Sequence, residues 1–273
     1  MTFRERLAVA WERSQSLLCV GLDPLPAKFP AAIQQADRPI LEFNRAIIDA
    51  TAPYACSYKP QFAHYAAADA LDDLRDTIAY IAERYPDKVV ILDSKRGDIG
   101  STAERYALEA FKVYGADAVT VNPYLGGDSL EPFLAYQDRG VIVLCKTSNP
   151  GSGDFQNLDI GDGKKLYERV AELAAQEWNG HDNVGLVVGA TYPGELASVR
   201  EIAPTLPLLV PGIGAQGGDL EAVLKAGSTP EGGLLINSSR GILYASNGSD
   251  FADAAAQEAR NLFEQIRTIR SSR

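Results

Sequence analysis

Residues 88–102 read K-V-V-I-L-D-S-K-R-G-D-I-G-S-T. A near-continuous apolar run ends in charged residues and glycines, and a helical pattern follows at roughly 102–114. An apolar run without in-out alternation predicts a strand covered on both faces, as in parallel α/β folds. Working outward, the same unit recurs along the chain. S-L-L-C-V-G-L-D-P at 16–24 leads to a helix near 39–52, where Ile40, Phe43, Ile47 and Ala50 recur at three- and four-residue spacing. C-S-Y-K-P at 56–60 leads to a helix from about 70 to 84. A-V-T-V-N-P at 118–123, V-I-V-L-C-K-T-S at 141–148, V-G-L-V-V-G-A at 184–190, P-L-L-V-P-G at 207–212 and G-L-L-I-N-S-S at 233–239 each precede another helical pattern. Eight such units, with an additional helix at residues 2–15 ahead of the first, predict one (β/α)8 TIM barrel domain over residues 1–273. A doubly wound open sheet is the alternative, but no G-x-G-x-x-G follows the first strand.

Composition narrows the function. The 273 residues are 46% hydrophobic and 23% charged, which excludes a disordered tail, a collagen-like repeat and a small disulfide scaffold. The longest apolar runs, at 89–92 and 141–145, are too short to span a bilayer. The start, M-T-F-R-E-R-L, has no apolar stretch to serve as a signal peptide, so a soluble, cytoplasmic chain with no membrane partner is expected. A net charge of -10 repels a phosphate backbone and argues against nucleic acid, while leaving room for a small anion held by local cations. Cys19, Cys56 and Cys145 are odd in number, unclustered and set in apolar runs, which predicts buried thiols in a reducing compartment. His64 and His181, the only histidines, form no ligand-spaced pair, so no metal site is expected.

In a TIM barrel, chemistry lies at the carboxyl ends of the strands. Asp23, Lys59, Asp93, Lys95, Asn122, Lys146, Ser148 and Asn237 all end a strand run. Alternation along a strand points Asp93 and Lys95 into the mouth and Ser94 away from it, with Asp98 in the loop beyond. Carboxylates on either side of a lysine hold it protonated, which makes a poor Schiff-base nucleophile but a positioned proton donor. Lys59 ends the neighbouring strand, so a Lys–Asp–Lys–Asp chain of zero net charge is expected across two strands and a loop. A salt-bridged loop and a snorkelling lysine are the structural alternatives. P-G-I-G-A-Q-G-G-D at 211–219 and S-S-R-G-I at 238–242 follow the last two strands, where such barrels bind phosphate. Backbone N–H groups at Gly212 and Gly214, with the Arg240 guanidinium, suit that ligand. Ser148, in K-T-S-N-P-G-S-G at 146–153, suits hydrogen bonding to a flat heterocycle, although N-P-G-S-G is also turn chemistry.

These residues resemble the orotidine 5′-phosphate decarboxylase family, and its longer bacterial subgroup in particular. The resemblance rests on D-x-K-x-x-D-I-x-x-T at 93–102, Lys59, the P-G-x-G-A-Q-G-G-D loop, Y-K-P-Q at 58–61, K-T-S-N-P-G-S and Arg240. It runs from Asp23 to Arg240, with Ser239 standing where many members have glycine. It implies a cofactor-free homodimer that converts orotidine 5′-monophosphate to UMP and carbon dioxide. In that pattern Lys95 protonates C6, Asp93 lies by the substrate carboxylate, and Lys59 and Asp23 meet ribose hydroxyls. Ser148 meets the pyrimidine, Gln216 and Arg240 lie near the phosphate, and Asp98 and Thr102 reach into the partner's site. Three other readings stay open. They are a metal-dependent sugar-phosphate lyase such as hexulose-phosphate synthase, a non-catalytic barrel that binds UMP-like nucleotides, and a Schiff-base aldolase.

Overall fold

The computed structural model describes residues 1–213 and 218–272. Its strands are β1 (Leu18–Leu22), β2 (Ser57–Pro60), β3 (Val89–Arg96), β4 (Ala118–Val121), β5 (Gly140–Lys146), β6 (Val184–Val188), β7 (Leu208–Pro211) and β8 (Leu234–Ser238). They pair in parallel, in sequence order, and β8 returns to β1 to close the barrel. The closing seam sets Leu18 beside Ile236 and Cys19 beside Asn237. Every residue of β1, β2, β4, β6 and β8 is buried, as strands between a filled barrel and a helical layer must be. Each of the eight quoted runs holds one strand, with β5 beginning one residue ahead of its run.

One unit departs from the expected pattern. After β4 the chain forms two 3-10 turns, Pro123–Leu125 and Gly127–Ser129, and the single-turn helix Glu131–Leu134. Pro123 and the Gly126–Gly127 pair punctuate this segment before a longer helix can propagate. The helix after β3 runs Gly100–Leu108 and ends in a π-helical turn, Glu109–Val113. No helix among the described residues is long and apolar enough to cross a membrane. Cys19, Cys56 and Cys145 are buried and unpaired. Burial pushes the thiols up, Cys19 to about 11 and Cys56 to about 12, so these groups stay protonated and inert near neutrality.

The amino-terminal helix α1 (Phe3–Ser14) plugs the end of the barrel opposite the mouth. Thr2 and Glu5 form a capping box, with Glu5 N donating to Thr2 Oγ1 at 3.2 Å and Thr2 N to Glu5 Oε2 at 2.9 Å. Phe3, Leu7, Ala10 and Trp11 are the buried face. Phe3 lies over Gly140, the first residue of β5, so closely that a Cβ there would come within 2.5 Å of the ring. Trp11 Nε1 donates to the Leu234 carbonyl at the start of β8, at 3.0 Å. Trp11→Ala removes that hydrogen bond and leaves a cavity under the barrel. It is expected to cost about 3–5 kcal/mol in urea unfolding. A loss below about 1 kcal/mol would show that α1 does not seal the core.

Candidate active site

A cavity of about 380 Å³ opens at the carboxyl ends of the strands, within the range of small-ligand sites. Asp23, Lys59, Asp93, Lys95, Ser148 and Arg240 all line it. The centre of the site is the Asp93 carboxylate. Oδ2 accepts from Lys59 Nζ at 2.7 Å and from Gln61 Nε2 at 3.1 Å. Oδ1 accepts from Lys95 Nζ at 2.6 Å and from Thr120 Oγ1 at 2.9 Å. Four donors fill the acceptor capacity of one carboxylate. Lys59 and Asp93 are buried, with side chains 5% and 8% exposed, whereas the Lys95 side chain is 44% exposed toward the opening.

Burial opposes both buried charges, and the partners outweigh it. Desolvation alone would raise Asp93, but the Lys59 and Lys95 ammonium groups hold it well below the usual carboxylate range. Desolvation alone would lower Lys59, but the charges of Asp93 and then Asp23 hold it above the ordinary lysine value. The pair is therefore a stable ion pair, with the more exposed Lys95 attached to its open side.

Simple strand alternation is not what brings Asp93 and Lys95 together. Leu92 pairs with Val119 and Arg96 with Val121, so four steps along β3 match two along β4. The intervening residues, Asp93 to Lys95, form a bulge in which Lys95 takes a left-handed conformation, φ 48°. Ser94 Oγ is buried without a hydrogen-bond partner among the described residues, away from the charge array, as the sequence predicted for its side.

Around this centre, Tyr244, which follows β8, ties down the segment after β1: its hydroxyl donates to the Asp23 carbonyl at 2.9 Å and accepts from Leu25 N at 2.7 Å. Asp23 Oδ1 is buried with no hydrogen-bond partner among the described residues, an acceptor beside a polar cavity. Ser148 follows β5, and its carbonyl accepts from Thr191 Oγ1 at 3.3 Å. Gly212 follows β7 with φ 107°, a conformation that a side chain would strain. Arg240 is exposed at the rim and makes no ion pair among the described residues. Gly214 and Gln216 lie outside the described residues.

Several strand-end residues play other parts. Asp98 accepts from Ile99 N at 2.8 Å and Thr102 is exposed, and neither lines the cavity of its own chain. The expected four-charge chain is thus three charges long within one chain. Lys146 is fully buried; its ammonium donates to Ser152 Oγ and lies 4.1 Å from the centre of the Tyr192 ring. Asn122 caps the turn after β4 by accepting from Tyr124 N at 3.0 Å. Arg96 forms a bidentate pair with Glu109 and stacks between Phe62 and Tyr106. Gln61 and Thr120 were not singled out by sequence. Gln61 stands two residues beyond Lys59, a same-face spacing that could have flagged it, whereas a threonine in A-V-T-V carries no such signal.

The family model described as "Orotidine 5'-phosphate decarboxylase / HUMPS family" matches residues 16–255. A protein of Dechloromonas aromatica (strain RCB), named orotidine 5'-phosphate decarboxylase, is 60% identical over 271 residues, 99% of this chain and 100% of that one. Among solved structures, the Leishmania donovani OMP decarboxylase is similar at a TM-score of 0.85 and 44% identity, over 99% of each chain. Leishmania donovani UMP synthase is similar at a TM-score of 0.85 and 47% identity, over 96% of this chain but only 56% of that longer one.

The charge array predicts a pH window for stability. Asp93, held low, contributes fully above about pH 4 and loses its contribution as pH falls; Lys59, held high, contributes fully below about pH 10 and loses it as pH rises. Asp93→Asn strands the buried Lys59 charge and is expected to cost about 3–5 kcal/mol near neutrality. In urea unfolding the deficit should be level from about pH 5 to pH 8 and shrink below about pH 4. A deficit independent of pH down to pH 3 would contradict the ion pair as its source.

Proposed function

The chain belongs to the orotidine 5′-phosphate decarboxylase / HUMPS family, and we propose that Lys95 carries the chemistry of its site. The reaction is the loss of carbon dioxide from orotidine 5′-monophosphate to give UMP in pyrimidine synthesis, the work of a carboxy-lyase. The observation that carries the role of Lys95 is its ammonium, 2.6 Å from a saturated carboxylate and open to the cavity. As the bond between C6 and the carboxylate breaks, its electron pair stays on C6. The fixed ammonium stabilises that pair and then transfers a proton to it, and neutral Lys95 regains a proton from solvent.

Magnitudes favour this over electrostatic stress. A substrate carboxylate about 4 Å from Asp93 costs about 4 kcal/mol at an effective dielectric near 20. Enzymes lower barriers by roughly 8–23 kcal/mol, so repulsion by Asp93 is a minor share. Against the HUMPS-type reading, the oxygens of Asp93 already accept two donors each, which leaves that carboxylate no capacity for a metal.

The remaining assignments follow the family resemblance. Asp23, with an unpartnered oxygen, and Lys59 receive the ribose hydroxyls, and Ser148 meets the pyrimidine. Arg240, Gly212, Gly214 and Gln216 hold the phosphate, whose binding energy is available to close and order the site. Asp98 and Thr102 serve the site of a second copy in a homodimer. The exposed Ile99, Tyr124 and Leu125 give that copy an apolar face to cover. The enzyme works as a single barrel domain without a cofactor, and its buried free thiols suit the cytoplasm.

The first test is to incubate EDTA-treated protein with orotidine 5′-monophosphate and follow its ultraviolet absorbance. Conversion to UMP without added metal is expected; activity that returns only with a divalent cation would overturn the cofactor-free reading. Lys95→Ala should lose at least about 10³-fold in kcat while still binding UMP. Substantial turnover by the folded variant would remove Lys95 as the acid. Arg240→Ala should lower kcat/KM by roughly 10- to 100-fold, the share of a charge-assisted phosphate contact.

A further inference from the structure

The bulge that presents Lys95 has to satisfy its own backbone. Four steps of β3 span two of β4, so the β4 backbone cannot serve every amide of the bulged segment. Thr120, the β4 residue between the paired Val119 and Val121, faces this gap and is 1% exposed. Its Oγ1 accepts from Ser94 N at 3.1 Å and from Lys95 N at 3.0 Å. With both acceptor positions taken, its one proton is left for Asp93 Oδ1, 2.9 Å away. The contacts close a ring: Lys95 N–H to Thr120 oxygen, Thr120 hydroxyl to Asp93 Oδ1, and Lys95 Nζ back to that same Oδ1.

We propose that Thr120 is a positioning residue for Lys95, holding both the left-handed backbone of the lysine and the carboxylate that anchors its ammonium. The hydroxyl is fully used within this ring and has no hydrogen bond left for substrate. It acts on the reaction only by setting where the Lys95 ammonium sits. A left-handed lysine is uncommon and persists only where its surroundings determine it. Without the hydroxyl, two buried amides lose their acceptor, and the backbone of Lys95 is free to return to an extended conformation. The ammonium then moves relative to C6, and misplacement on the order of 1 Å costs about 100-fold in rate. Ground-state binding, set at the phosphate and ribose ends of the cavity, is left in place.

This inference rests on the role of Lys95 proposed above, and the test separates the two. Thr120→Val, Thr120→Ala and Thr120→Ser are compared with the parent enzyme and with Lys95→Ala. Turnover is expressed per UMP-binding site, so that unfolded protein does not count. Thr120→Val and Thr120→Ala are expected to lower kcat by about 100-fold with KM and UMP affinity within about threefold, and Thr120→Ser to restore kcat to within about fivefold. If Thr120→Val does not fold, the serine–alanine pair alone decides, because the two differ by the hydroxyl. Equal kcat for serine and alanine, or a rise in KM matching the loss in kcat, overturns the positioning role. If Lys95→Ala itself turns over, the reading of Lys95 fails instead, whatever the Thr120 variants do.

Discussion

One carboxylate organises this site. Asp93 is nearly out of water, and it remains ionised there because two ammonium groups, an amide and a hydroxyl occupy its oxygens. The desolvation cost of a buried carboxylate is several kcal/mol, and only a filled set of partners offsets it. That requirement dictates the neighbours: Lys59 and Gln61 from the β2 side, Lys95 from the same bulge, and Thr120 from β4. Each is needed to keep the charge buried, and together they fix the one ammonium that faces the cavity.

The barrel makes this arrangement possible. Parallel strands closed in sequence order place residues distant in the chain side by side at one rim, and the β2–β3 register sets Gln61 against Asp93. The opposite rim is closed by α1, whose Phe3 and Trp11 seal the ends of β5 and β8. The mouth, by contrast, carries several strained or unpartnered groups. Left-handed Lys95, the unpartnered Asp23 oxygen and the positive φ of Gly212 are all at that rim.

Much of this was legible in the sequence, for a physical reason. Strands buried on both faces must be apolar throughout, so their runs stand out, and the polar residue that ends each run marks the rim. The eight strands and the Lys59–Asp93–Lys95 array follow from that alone. Bulges were not legible. A parity argument puts Asp93 and Lys95 on one face, and they do meet, but through two inserted residues and a left-handed backbone. The same argument would turn Lys146 into the mouth beside Leu144. There β5 also shifts register, two steps against one on β6, and Lys146 is buried between Ser152 and Tyr192 instead. Thr120 was equally hidden, because threonine is an ordinary strand residue and only register shows that its hydroxyl substitutes for missing ladder bonds.

The distribution of charge in the mouth bears on how an anionic nucleotide is bound by a chain of net charge -10. Asp93 and Asp23 offset Lys59 and Lys95 within the mouth, whereas Arg240 at the rim has no counter-ion among the described residues. On the proposed assignment, the phosphate end provides the attraction and the reacting end is close to neutral overall. A substrate carboxylate placed there gains little from the array as a whole. On the same assignment, the electron pair left on C6 is different, because it arises next to a single ammonium whose position is already fixed. An interaction that strengthens only as the carbanion develops lowers the barrier without deepening the ground state. The balance of two lysines and two aspartates is therefore more useful than an excess of positive charge, which would hold the substrate carboxylate as firmly as the transition state.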